Sequence, residues 1–385
     1  MERKIKVLHV ITRFLNGGTE KNVINSINAL PKDKYEVEVA VGQNSNLSLI
    51  PSDIKAEKID SLVRSANPWK NIKALKDLFK HLKANNYDII HTHQANAGVV
   101  GRLSAKSAKV PIIIHGLHGP TFHSNQNIFE MWFYILTEKI LAKITTVFTV
   151  VGHDLKNRYL KKGIGREKNY HVIRSGMELK RFSDVSEIRI AERNKIRKEL
   201  GFDEGKFLIG VIAALEPRKG HIYLIEAART LKNKNVKFLF VGGGWYEEKL
   251  RKKVLDFGLE DTIKFIGYRE DVENIIAASD VIALTSLWEG LPQVLVQAAA
   301  AGKPMVSFAV EGATEVIKEG VNGFSVPLKD VKAFERKLRY LIKNPKKAEE
   351  MGKKGKEIIG DEWKLSRMQE KVIKLYEGLI KINKI

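Results

Sequence analysis

Arg218 and Lys219 are adjacent in the segment Val211–His221, VIAALEPRKGH. The apolar run Leu208–Ala213 reads as a strand and a helix begins near Gly220, so both cations fall in the loop at a strand's carboxyl end. Two positive charges there suit a diphosphate, whose leaving tendency rises as its developing charge is neutralised. Simple solvation of a basic loop is the bland alternative. Gly242-Gly243-Gly244 closes the neighbouring strand, and glycine there, Gly243 at its centre, lets a ligand approach the backbone closely.

A second segment, LWEGLPQVLVQAAAAGKP (Leu287–Pro304), follows the strand-like run DVIALTS and is expected to open a helix near Leu291. The N–H groups of Gly290 and Leu291 would then be unpaired beside the positive end of a helix dipole, an arrangement that favours an anion. Glu289 would repel a phosphate unless it faces another part of the ligand. A carboxylate aimed at sugar hydroxyls beside a phosphate meets both demands. Gln297, eight residues on and about two helical turns away, is expected to point the same way, with an amide suited to the hydroxyl pair of a ribose. The alternative is a capping Glu289 and a surface Gln297.

His91 and His93 alternate along a strand and face one way. With no cysteine in the chain and no acidic ligand set nearby, a metal site is not expected. His115 and His118 titrate in the range useful to a general base; His118 is taken as a sugar contact and His115 as structural. Glu311, Gly312 and Glu315 follow the strand Met305–Phe308 and should face the same ligand region.

These groups need strands that end together. In the first half the apolar runs Ile5–Ile11, Glu36–Val41, Asp88–His91, Ile112–His115 and Thr145–Val151 read as strands. Helical patterns follow at Thr19–Leu30 and after Asn67-Pro68, the latter carrying Lys70, Lys73, Lys76, Lys80 and Lys83. The second half repeats the alternation at Leu208–Ala213, Lys237–Val241, Ile263–Ile266, Val281–Ala283 and Met305–Phe308. Strands alternating with helices imply parallel sheets, with ligands at the strands' carboxyl ends. The expected class is α/β, with two Rossmann-like doubly wound domains facing a central cleft. Residues 1–180 and 181–362 would form the domains. A helix in 363–385, with apolar Leu365, Met368, Val372, Leu375 and Leu379, would pack back towards the first.

The 385 residues are 44% apolar and 29% charged, a globular profile. No stretch approaches the roughly 18 apolar residues of a membrane helix, and the opening MERKIKVLHVITRF reads as a buried strand rather than a signal peptide. Absence of cysteine fits a reducing compartment. The net charge of +21 favours polyanions, and residues 1–175 hold 27 Lys+Arg against 14 Asp+Glu. Either a basic face for an anionic partner or a lysine-rich surface of a heat-adapted protein accounts for this.

Taken in order, ITRFLNGGTEKNV, YDIIHTH, HGLHGP, HVIRSGMELKRF, FVGGGWYEEKL, FIGYREDV and ASDVIALTSLWEGLPQVLVQAAAAGKP resemble the retaining GT-B glycosyltransferases known as glycosyl transferases group 1, or family 4. The resemblance spans nearly the whole chain. It implies a nucleoside-diphosphate sugar donor held mostly by the second domain and an acceptor entering from the first. Lys219 matches the lysine on the donor diphosphate, and Glu289 matches the first acid of an E-x7-E motif that contacts donor sugar hydroxyls. Gln297 takes the place of the ribose-binding glutamate, and His118 matches the histidine near the transferred sugar. Gly17 and Gly18 match the loop against donor phosphates and acceptor. Retention by front-face attack is implied, with the departing phosphate as base and neither metal nor other cofactor. Ala214 stands where many members carry a diphosphate arginine, a role Arg218 could fill; Ser175 replaces a common asparagine. These departures bear on donor affinity rather than fold.

The expected product is a surface glycan, lipid-linked or lipopolysaccharide-like, made in the cytoplasm with peripheral contact to an anionic inner membrane face. The alternatives are a nucleotide-sugar epimerase or hydrolase of the same plan, a polyanion-binding protein, and an inactive scaffold. Nucleic acid is disfavoured, since no aromatic stacking platform or recognition motif accompanies the charge.

Overall fold

The computed structural model describes residues 3–64, 67–184, 187–199, 201–202, 205–231 and 235–385. The chain divides into two compact units, Met1–Gly176 with Leu365–Ile385, and Met177–Lys364.

In the first unit seven parallel strands lie in the order β3-β2-β1-β4-β5-β6-β7: β1 (Ile5–Ile11), β2 (Tyr35–Gly42), β3 (Lys55–Ile59), β4 (Ile89–His93), β5 (Ile112–Leu117), β6 (Val147–Val150) and β7 (Tyr170–Val172). Helices α1 (Gly18–Ala29), α2 (Pro68–Asn85), α3 (Ala95–Ala108), α4 (Ile128–Ala142) and α5 (His153–Lys161) make the crossovers. The central strands are buried on both faces, which their continuous apolar runs require. β3 and β7 escape the sequence pattern. KAEKI lies at the sheet edge and has charged side chains at three of its five positions, and β7 is only three residues long.

The second unit carries short helices α6 (Lys180–Ser183) and α7 (Glu187–Glu199), then β8 (Phe207–Ile212), α8 (His221–Leu231), β9 (Val236–Val241), α9 (Glu247–Asp256), β10 (Ile263–Phe265), α10 (Val272–Ala278), β11 (Val281–Leu284), α11 (Gln293–Ala300), β12 (Met305–Phe308), α12 (Ala313–Val316), β13 (Gly323–Val326), α13 (Val331–Lys343) and α14 (Pro345–Ile358). Its six parallel strands run β10-β9-β8-β11-β12-β13. The order reverses beside β8, so β8 and β11 flank a switch point where loops diverge and a ligand can sit.

The final helix, α15 (Leu365–Asn383), belongs to the first unit. Its Met368, Val372, Leu375, Tyr376 and Leu379 form one core with Val7, Leu30, Tyr35, Ile89, Ile112 and Ile114. The opposite sheet face is covered by α2 and α3 through Leu78, Leu82, Ala97 and Val100. No helix of the described residues is long and apolar enough to cross a membrane.

Candidate functional site

In the second unit, the loops after β8 and β11 are fastened together. The Leu287 N–H donates to the Arg218 carbonyl at 2.8 Å, and the Thr285 hydroxyl donates to the Gly220 carbonyl at 3.0 Å. Gly220 has φ +65°, and a Cβ there would lie 2.0 Å from the Thr285 carbonyl oxygen, so glycine alone permits the approach. This clasp sets Lys219 against Glu289. Lys219 Nζ donates to Glu289 Oε1, and the Ser286 hydroxyl donates to the same oxygen at 2.7 Å. Arg218 Nη1 lies 3.5 Å from Glu289 Oε2, while its Nε donates to Glu216 Oε2 at 3.0 Å.

Glu289 is buried, whereas the Arg218 side chain is 37% exposed. Burial alone would raise the Glu289 carboxyl, but the charges of Lys219 and Arg218 outweigh it and hold the group below its ordinary value. Burial draws the Lys219 ammonium down, with Glu289 pulling the other way. An ammonium has three N–H donors, so the bond to Glu289 leaves two for another anion.

The turn beyond Glu289 differs from the expected helix start. α11 opens at Gln293 with Pro292 at its cap, because the residue before a proline is driven out of the helical region. Gly290 and Leu291 therefore lie in the turn, where their N–H groups find no hydrogen-bond acceptor among the described residues. Gly312, with φ +74°, backs this turn; a Cβ there would sit 2.5 Å from the Gly290 carbonyl oxygen. Glu289 is not on α11, so the two-turn reckoning from Glu289 to Gln297 fails. Gln297 lies within α11 and is half-buried. At Gly242 and Gly244 a Cβ would strike the carbonyls of Ala213 and Leu215, whereas at Gly243 it would meet open space. The steric need for glycine thus falls on the neighbours of Gly243.

His118, Gly17 and Gly18 belong to the first unit. Gly17 caps α1 and Gly18 opens it. From the same helix, Asn22 Nδ2 lies 3.3 Å from His118 Nδ1. His118 Nε2 is 2.9 Å from His93 Nδ1, and His93 Nε2 is 3.0 Å from His9 Nδ1. His9 Nε2 lies 3.4 Å from the Tyr376 hydroxyl, which is 2.8 Å from His91 Nδ1; His91 Nε2 reaches Thr149 Oγ1 at 3.2 Å. With the amide nitrogen of Asn22 as a donor, one set of tautomers satisfies the whole chain. Each histidine accepts at Nδ1 and donates from Nε2.

Gly116 makes room for this chain, since a Cβ there would lie 2.8 Å from His93 Nδ1 and 3.1 Å from His118 Nε2. Burial lowers His118 to about 4 and His9 to about 3, so both imidazoles are neutral near pH 7. The ring nitrogens of His9, His91 and His93 come within 4.8 Å of one another, close enough for a cation. All six are instead engaged in these hydrogen bonds. His115 is separately buried and bonded to the Thr92 hydroxyl at 2.9 Å.

Sequence reasoning named His118 and Lys219 but not the residues that hold them in place. Tyr376 is 367 residues from His9, and Thr285, Ser286 and Asn22 lie inside motif segments whose residue types do not single them out as partners.

Residues 16–181 match the description Glycosyltransferase Family 4, and residues 192–358 match Glycosyl transferases group 1. The chain belongs to the group 1 glycosyltransferases. This glycosyltransferase is 28% identical over 387 residues to the UDP-Gal:α-D-GlcNAc-diphosphoundecaprenol α-1,3-galactosyltransferase of Escherichia coli, covering 99% of this chain and 98% of that enzyme. It is 27% identical over 366 residues to the N,N'-diacetylbacillosaminyl-diphospho-undecaprenol α-1,3-N-acetylgalactosaminyltransferase of Campylobacter jejuni, covering 92% of this chain and 94% of that one. Among solved structures it is similar to Anabaena HepE in complex with UDP and glucose, at TM-score 0.82 and 21% identity over 97% of this chain and 100% of that one. WaaG, a glycosyltransferase involved in lipopolysaccharide biosynthesis, matches at TM-score 0.76 and 17% identity over 96% and 99% of the two chains. The fold is GT-B, with two Rossmann-like domains.

Proposed function

We propose that this glycosyltransferase moves a hexose or N-acetylhexosamine from a nucleoside-diphosphate donor to a lipid-linked glycan, with retention of anomeric configuration, in surface polysaccharide assembly at the cytoplasmic membrane face. The observation that carries the reading is the clasp of Lys219, Arg218 and Glu289 beside the unpaired amides of Gly290 and Leu291. Lys219 and Arg218 neutralise the departing diphosphate, and the two amides hold its oxygens. Glu289, already ionised, accepts from donor sugar hydroxyls. Gln297 binds the ribose, and the open space at Gly243 admits the donor against the backbone. His118, neutral and oriented by Asn22 and His93, contacts the transferred sugar, with the Gly17–Gly18 turn against donor phosphates and acceptor. Front-face attack, with the leaving phosphate as base, needs no metal because the two cations supply the charge. The diphosphoundecaprenol-linked substrates named for the relatives, and the UDP and glucose bound by HepE, support the donor and acceptor classes.

The test is incubation with labelled nucleotide sugars, with and without a diphospholipid-linked sugar acceptor, in the presence of a chelator. Acceptor-dependent transfer is expected, with the donor's anomeric configuration kept in the product. Free or isomerised sugar as the main product would overturn the reading.

A further inference from the structure

The most apolar exposed surface in the first unit is one side of α4. Its sequence, IFEMWFYILTEKILA, buries Ile135, Glu138 and Leu141 and exposes Ile128, Phe129, Trp132, Phe133, Leu136 and Ile140. Phe129 is 84% and Phe133 66% exposed. At 100° per residue, these six positions and the exposed Lys139 and Lys143 fall within an arc of about 140°. Glu130, the helix's exposed acid, lies outside it. The usual polarity of a surface helix is reversed here. The buried side carries Glu138, bound at both oxygens by Arg102 of α3 at 2.9 and 3.0 Å, and the outward side carries three aromatic rings. An exposed apolar patch of this kind marks an interaction surface.

The surroundings say what covers it. α3 packs against both α4 and α2, so the three helices form one layer. On α3, Leu103, Lys106 and Lys109 are exposed; on α2, Trp69 is 78% exposed, with Lys70, Lys73, Lys76, Lys80 and Lys83 also exposed. None of these five α2 lysines pairs with a carboxylate among the described residues. Aromatic side chains inserted at the headgroup boundary, beside a polybasic rim, bind an anionic bilayer. A second copy seated α4 against α4 would bring two lysine rims together, which like-charge repulsion opposes.

We propose that α4 is a monotopic membrane element. Its Phe129, Trp132, Phe133 and Leu136 enter one leaflet, while the lysines of α2 and α3 hold anionic headgroups. α2 and α4 run antiparallel to the strands of their crossovers, so Trp69 and Phe129 lie at the strands' carboxyl ends, the end that carries His118. The docked surface would thus hold that end of the unit at the membrane, where a lipid-linked acceptor resides. This extends the acceptor class of the proposed function, but vesicle binding is read without turnover, so either can fail alone.

The experiment is flotation of the full-length protein with phosphatidylcholine vesicles, with and without phosphatidylglycerol, for the wild type, Trp132→Ser/Phe133→Ser and Lys73→Glu/Lys76→Glu. The wild type should float with phosphatidylglycerol-containing vesicles, and the serine variant should lose at least about tenfold in partition. The glutamate variant should bind more weakly in a salt-dependent manner. An unliganded melting temperature and a circular dichroism spectrum matching the wild type's verify that each variant is folded. Failure of the wild type to bind, or equal binding by the serine variant, would overturn the proposal. So would a wild-type dimer, indifferent to vesicles, that the serine variant dissociates.

Discussion

Four imidazoles and one phenol hold each other in the first unit, and their shared burial sets the acid limit of that unit. His9 and His118 are lowered by burial to about 3 and about 4, and burial likewise lowers His91 and His93, with neighbouring imidazoles adding to the effect. An unfolded histidine titrates near 6.5. Between that value and the folded ones the unfolded chain binds more protons, so stability is full above about pH 6.5 and falls as the pH drops towards 4. The melting temperature should decline across that window, His9 and His118 each contributing on the order of 3 kcal/mol at most and His91 and His93 acting in the same direction. A melting temperature flat from about pH 7 to about pH 4.5 would show that the cluster is not neutral in the folded state. His118 was legible because it sits in a recognisable loop, HGLHGP. The relay that orients it was not: alternation put His91 and His93 on one side of β4, but Asn22, His9 and Tyr376 join them only through the folded sheet and the returning last helix.

At the scale of elements, α15 closes one face of the first sheet. Leu375 lies in the core it shares with β1, β4 and β5, while Ile382 on the same helix is exposed. Leu375→Ala should therefore cost about 2–5 kcal/mol, and Ile382→Ala should stay within roughly 0.5 kcal/mol. Denaturant midpoints measure both; similar losses would mean that α15 does not pack as described. The apolar spacing of Met368, Val372, Leu375 and Leu379 made this helix readable. Edge strand β3 was hidden because KAEKI has no apolar run, and the start of α11 was misplaced because Pro292 acts on the residue before it. The reversed face of α4 escaped altogether: aromatic and aliphatic residues surround it, and periodicity gives no sign that its outward side is the apolar one.

Over the whole molecule, the chemistry-bearing groups divide between the two units, the histidine chain in one and the clasp of Lys219, Arg218 and Glu289 in the other. The family was legible because seven motifs occur in register along the chain, and alternating strands and helices fixed the α/β class. Loop geometry was not, since the contact of Lys219 with Glu289 depends on Thr285 and Gly220 pinning two crossovers together. That contact is the centre of the account. The direct measurement is the melting-temperature shift given by a panel of nucleoside diphosphates and their parent nucleosides, for the wild type and Lys219→Ala, each against its own unliganded value. A diphosphate should stabilise the wild type well beyond its nucleoside, and Lys219→Ala should weaken that binding by about 1.5–3 kcal/mol. Equal diphosphate shifts in the two proteins would contradict the assignment of Lys219 to the diphosphate.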